Sequence, residues 1–154
     1  LARWMVLSGE VLNSETAHAL GLVDVVTTRD KVDQVVAELA AGPKGPQATV
    51  DMAHPMAVAA TRLLSDTQVE GWLAKTNEAG DDPAAARLAK RLGHKGPVAL
   101  RVANTLIGLA DAGADVTEGL KAEADGLKAI FDTHDAKSGI RAALNRQRPS
   151  FEGR

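Results

Sequence analysis

Four histidines, His18, His54, His94 and His134, are the side chains whose intrinsic pKa suits proton transfer or metal binding near neutral pH. Each stands alone, with no second ligand at metal-site spacing, so surface or capping roles are expected and no metal site is assigned. Two carboxylates held together could share acid–base work. Asp81-Asp82 and Glu123/Asp125 are pairs by adjacency only; the first reads as a helix cap, the second as a solvated helix face. Ser8 precedes Gly9, but no G-x-S-x-G surrounds it as a nucleophile elbow. There is no G-x-G-x-x-G and no phosphate loop, and the absence of Cys removes thiol nucleophiles, thiolate metal sites and disulfides. Glu10 falls in a turn and Glu15 at a helix start, so neither is a catalytic candidate.

The elements around these groups are mostly helical. Met5 to Val26, MVLSGEVLNSETAHALGLVDVV, reads as a helix end, a Ser8-Gly9 break, a short helix and a strand. Asn13 or Ser14 caps the short helix, and Glu15 lies in its first turn, where the dipole favours an anion. Gly21 is its left-handed stop, with Leu22 folding back towards Ala17. Leu22 to Val26 is β-branched and apolar, a short buried strand. Asp30 then caps an amphipathic helix carrying Val32, Val35, Val36, Leu39 and Ala40 on one face. Gly42-Pro43-Lys44-Gly45-Pro46 ends it.

From about Gln47 to Lys95 three further helices are expected. One spans Pro55 to Leu64. A second runs to Leu73 from a Ser65/Gln68 capping box. The third follows the polar loop of Asn77 to Asp82 and begins at Asp82-Pro83, with Pro at the first helical position. Gly96-Pro97 opens the next helix, with Val98, Val102, Leu106 and Leu109 as its stripe. Thr117 or Asp115 caps another, on which Leu120, Ala124, Leu127 and Phe131 share an apolar face that fits a core or a subunit interface. The chain closes with FDTHDAKSGIRAALNRQRPSFEGR, in which Asp135 can cap the last helix.

Composition limits the function classes. A chain of 154 residues supports one domain with a real core. Only 3% aromatic content, 14 Gly and abundant Ala point to closely packed helices. A net charge of −2 without a large block of one sign argues against nucleic-acid binding. Trp4, Trp72, Phe131 and Phe151 are too scattered to stack bases. No apolar run approaches the roughly 20 residues that span a bilayer, and no signal peptide is visible, so no membrane partner and a cytoplasmic location are expected.

Two stretches carry a resemblance. LSGE-x-L-N-S-E-x-A-x-x-L-GLVD-x-V, with Ser8-Gly9-Glu10, Ala17 and Gly21-Leu22-Val23, resembles a segment of the enoyl-CoA hydratase/isomerase (crotonase) superfamily that follows the second half of its active site. The ending is similar to that superfamily's F-x-T-x-D-x-x-[ED]-G-x-x-A-F-x-x-[KR]-[KR]-x-P-x-F-x-G, through Phe131, Thr133, Asp135, Gly139, Ala142, Arg146, Arg148, Pro149, Phe151 and Gly153. Between them, GPVALRVANTLI resembles its P-x-A-[LV] helix, with Asn104 where many relatives have Lys. Ser138 replaces a usual acid and Ala143 a usual Phe.

The resemblance implies a mostly α fold: the C-terminal helical region of a crotonase-like α/β fold, with one short strand and a helical insertion. It divides the chain into residues 1–42 as the end of the core, 43–95 as the insertion and 96–154 as a CoA-binding and oligomerisation region. The start, Leu1-Ala2-Arg3-Trp4, has neither Met nor a cap and fits the C-terminal part of a longer protein. The superfamily's paired glutamates and oxyanion donors lie before the LSGE-like segment, so no catalytic residue is expected here. The acyl-CoA thioester would be the substrate, with CoA carried on it and no separate cofactor. The resemblance places an apolar contact to CoA at Leu127 and a basic one at Arg146, which the helix dipole alone would also favour. It also implies a homo-oligomer formed through the C-terminal helices.

Three functional readings follow. The first is an enoyl-CoA hydratase of fatty-acid β-oxidation, in a fusion with 3-hydroxyacyl-CoA dehydrogenase. The second, a hydroxyacyl-CoA thioester hydrolase of the same superfamily, is favoured by the insertion, whereas the R-x-R-P-x-F-x-G ending favours the hydratase; the LLSDTQVEGWL stretch resembles both such hydrolases and the dehydrogenase fusions. The third is a non-catalytic helical assembly module.

Overall fold

The computed structural model describes residues 1–42 and 45–154. Pro43 and Lys44, in the middle of the expected Gly42–Pro46 break, lie outside the described residues. The elements are α1 (Ala2–Ser8), α2 (Ser14–Ala19), a 3-10 turn (Arg29–Lys31), α3 (Val32–Ala41), α4 (Pro55–Leu63), α5 (Asp66–Leu73), α6 (Pro83–Leu92), α7 (Pro97–Asp111), α8 (Val116–Phe131) and α9 (His134–Leu144). The chain divides into two compact units, Leu1–Glu10 with Arg62–Arg154, and Val11–Thr61.

In the smaller unit, the Asn13 side chain accepts the Thr16 N–H at 2.8 Å and so starts α2. Gly21 stops it in the left-handed region, at φ 67. The Gly21 N–H returns to the His18 carbonyl and the Leu22 N–H to the Ala17 carbonyl, the paired bonds of a helix stop. The expected strand over Leu22–Val26 does not form; among the described residues there is none. A strand needs a ladder partner. The segment alongside offers one backbone bond, from the Asp51 N–H to the Ala19 carbonyl, and one to a side chain, from the Ala48 N–H to Asp24 Oδ1. Leu22, Val23 and Val26 are accordingly exposed. The 3-10 turn, not an Asp30 cap, leads into α3, whose Val32, Val36 and Leu39 also face outward.

In the larger unit, α6 packs on α1 and α5, and α7 packs on α1, α5 and α8. The core is Trp4 and Leu7 of α1, Val69, Trp72 and Leu73 of α5, Ala85, Leu88 and Leu92 of α6, and Leu100 of α7. Two helices of the expected insertion thus supply much of this core. Asp82 caps α6 ahead of Pro83, accepting the Ala84 N–H at 2.9 Å. Ser65 precedes α5 without the expected side-chain cap, its hydroxyl lying 3.2 Å from that of Thr67. Asn104 ties α7 to α5 by donating to Glu70 Oε1 at 3.1 Å.

Asp115, not Thr117, caps α8. The apolar face read there, however, points away from its neighbour: Leu120, Leu127 and Phe131 are 62%, 54% and 55% exposed. Gly119, Ala122, Gly126 and Ile130 form the less exposed side. A Cβ on Gly126 would lie 2.7 Å from Val102 Cγ1 of α7, so glycine allows the close approach. α8 therefore uses its small residues for packing and leaves its large ones outward.

Candidate functional site

Both ends of the larger unit gather the motif residues into bonded clusters. At the N-terminal end, Gly9 closes α1 in the left-handed region, and the Glu10 N–H donates to the buried Ser8 Oγ at 3.1 Å. This turn aims the Glu10 carboxylate inward. Its Oε2 accepts the Trp4 indole N–H at 2.9 Å, and its Oε1 accepts from Arg87 of α6 at 3.1 Å. Burial pushes this carboxyl up, but the Trp4 and Arg87 hydrogen bonds and the charges of Arg87 and Arg91 hold it below the ordinary range. A carboxylate so engaged is a structural tie and a poor proton carrier near pH 7.

At the other end, Thr133 begins α9. Its Oγ1 accepts the Ala136 N–H at 3.0 Å and donates to the Ile130 carbonyl at 2.7 Å. Capping thus falls to Thr133 and leaves Asp135, only 3% exposed, to hold the tail. Its two oxygens accept the N–H groups of Glu152 and Gly153, each at 2.7 Å, while its own N–H donates to the Arg154 carbonyl at 3.0 Å. Burial raises the Asp135 carboxyl; the two backbone donors, His134 and Arg154 more than offset this and set it below the usual range. The returning tail lays Phe151 against Gly139, where a Cβ would come within 3.1 Å of Phe151 Cε1.

Beneath this clasp is a cavity of about 260 Å³, lined by Val98, Ala99, Ile130, Phe131, Ile140 and Phe151 among others. Asp135 is the one titratable group on its wall and is already committed to the tail. The cavity can take an apolar group; it offers no free acid or base. Of the two departures from the family ending, Ala143 is exposed, so a missing ring there opens no hole in the core. Asp135 keeps a charge in the first turn of α9 despite Ser138.

Leu127 lies on the outward side of α8 and Arg146 just beyond α9. Neither lines the cavity under the clasp. Arg146 adopts the left-handed conformation, φ 53, with its N–H on the Ala143 carbonyl and the Gln147 N–H on the Ala142 carbonyl. It thus holds the helix-stop position that glycine usually occupies, and its side chain is exposed. Sequence reading missed the Arg87–Glu10 pair, because 77 positions separate the partners and no local pattern links them.

Among the described residues no three His, Cys, Asp or Glu side chains cluster for a metal. Nor is any of their helices long and apolar enough to cross a membrane. The enoyl-CoA hydratase/isomerase family model matches residues 1–153. No curated protein and no solved structure matches the chain.

Proposed function

The chain belongs to the enoyl-CoA hydratase/isomerase (crotonase) superfamily, and from that premise we propose that it is the C-terminal part of an enoyl-CoA hydratase, adding water to 2-enoyl-CoA thioesters in fatty-acid β-oxidation. The observation that carries the reading is the occurrence of both bonded motif clusters, Ser8-Gly9-Glu10 and the Asp135 clasp, within one family match. Hydration needs donors for the developing enolate oxygen, carboxylates to handle the proton and water, and a grip on CoA that orients the acyl group. Glu10 and Asp135 are both spent on structure, which supports placing the acid–base pair and the oxyanion donors in residues outside these 154.

This chain's share is the grip on CoA. Arg146 supplies a guanidinium to a phosphate, whose bidentate geometry it matches, and Leu127 an apolar contact. CoA arrives as part of the substrate and no separate cofactor is needed. The outward Leu120, Leu127 and Phe131 supply the face through which copies of the chain associate, in a cytoplasmic protein fused to a 3-hydroxyacyl-CoA dehydrogenase.

Isothermal titration with CoA and acetyl-CoA, beside Arg146→Ala, tests this. Binding of both ligands, weakened about tenfold or more in the variant, is the expected result. A folded chain that binds neither, or a variant that binds as the parent does, overturns the assignment of Arg146.

A further inference from the structure

We propose that a second copy of this chain seats its α9 in the groove between α1, α7 and α8, an apolar trough of about 560 Å³ with an acidic wall. The contact is separate from the outward stripe of Leu120, Leu127 and Phe131, and it does not rest on the hydratase reading.

The groove is apolar and uncovered. Leu106 and Ile107 of α7 are half-buried on its wall, and Val6 of α1 and Val116 of α8 stand exposed beside them. An apolar cavity of about 150 Å³ takes a benzene ring, so this groove has room for two aliphatic side chains. Gly119 keeps it open: a Cβ built there would meet nothing within 4 Å. Its charged groups are Asp115 and Glu123, and no cation lines it. One Asp115 oxygen caps α8 through the Glu118 N–H; Glu123 forms no ion pair among the described residues. Apolar surface beside carboxylates without cations fits an apolar ridge flanked by positive charge.

The chain carries that complement itself. Lys137, Ile140, Arg141 and Leu144 recur at i, i+3, i+4 and i+7, so they share one side of α9. Ile140 is half-exposed and Leu144 is 80% exposed. Lys137 and Arg141 are exposed and form no ion pair among the described residues. Asp135, the one acid of α9, is buried and held by the tail, so no carboxylate offsets these two cations. Two aliphatic anchors a turn apart are how an amphipathic helix seats in an apolar groove. Here the flanking charges match as well, cations on the helix and carboxylates on the groove.

Within one copy α9 packs on α8 and the Asp135 clasp ties it to the tail, so the stripe meets a neighbour's groove and not its own. Stripe and groove are different patches of the same unit, which makes the contact head-to-tail. Each copy gives its α9 to one neighbour and receives another's.

The test uses the full chain carrying Leu120→Glu, which silences the outward α8 face at a position that does not line the groove. Two variants of that chain each lose one half of the contact. Leu144→Asp puts an acid on the stripe, and Gly119→Phe fills the groove from a position with open space. Both should match their parent in circular dichroism. In sedimentation velocity each alone should be monomeric, and their equimolar mixture should form a 1:1 dimer, because one keeps its groove and the other its α9. Glu123→Lys added to the Leu144→Asp chain should weaken that dimer severalfold. A Leu120→Glu chain that stays monomeric up to about 1 mM would overturn the proposal. So would a folded Leu144→Asp or Gly119→Phe variant that still associates as its parent does, a mixture without dimer, or a dimer that Glu123→Lys leaves unchanged. Association lost on Leu120→Glu alone, with no dimer in the mixture, would leave the α8 face standing and remove the groove contact.

Discussion

Asp135 Oδ2 accepts the Gly153 N–H at 2.7 Å across 18 positions of sequence, and that bond folds the tail back onto α9. Its partner oxygen holds Glu152 in the same way. Because the carboxyl sits below its ordinary 3.8, its contribution to folding is complete above that value and is lost as pH falls through the lower folded value. Protection of the Glu152 and Gly153 amides, measured against their intrinsic exchange rates, should therefore hold at neutral pH and fall only as pH drops through the lowered Asp135 value. Asp135→Asn, with one acceptor oxygen in place of two, should free one of the two amides at every pH. Protection of both amides in that variant would show that the carboxylate is not what holds the tail.

The Glu10 tie makes an unequal prediction for its two ends. Glu10→Ala leaves the buried Trp4 indole without its acceptor and should cost about 1–3 kcal/mol in urea unfolding. Arg87→Ala removes a guanidinium that is 54% exposed and should cost less than about 1 kcal/mol. Equal losses would mean that the ion pair, and not the indole bond, carries the tie.

Core and helix contact can be separated by substitution. Leu88 is fully buried, so Leu88→Ala should cost about 2–5 kcal/mol. Gly126→Val acts oppositely, by overpacking. Its Cβ would meet Val102 Cγ1, and the forced separation of α7 and α8 should cost about 1–3 kcal/mol. Lys128→Ala, at an exposed position of α8 outside its apolar stripe, should lie within about 0.5 kcal/mol of the parent. Denaturant midpoints measured on the three variants would rank them, and a Gly126→Val midpoint at the parent's value would contradict the close approach.

Arg146 predicts opposed changes in stability and binding. Its left-handed backbone favours glycine, so Arg146→Gly should raise stability by roughly 0.5–1 kcal/mol while CoA binding falls. A variant that gains stability and keeps its CoA affinity would reduce Arg146 to a helix terminator.

The proposed association through α8 predicts a charge effect. Leu120→Glu or Phe131→Glu should leave the helical signal intact and shift the mass seen by light scattering towards the monomer. An unchanged mass would remove this face from the interface.

Much of the local structure was legible in the sequence, because its signals act within a few residues. Asn13 and Asp115 cap through bonds to amides three positions on, Gly21 stops α2 by its own φ, and Pro83 and Pro97 fill first-turn positions that need no N–H. The enoyl-CoA hydratase/isomerase assignment was legible too, since its motifs keep fixed spacing. What tertiary structure decided is partnership. Leu22–Val26 has the composition of a strand but no ladder partner among the described residues. The stripe of Leu120, Leu127 and Phe131 reads as core or subunit interface; Gly126 permits a closer approach on another face, which turns these residues outward and removes the core alternative. Asp135 looks like a cap until Thr133 takes that role and the tail claims the carboxylate. Periodicity reveals that a face is apolar; which neighbour covers it depends on contacts far apart in the chain, and those arise only when the helices pack.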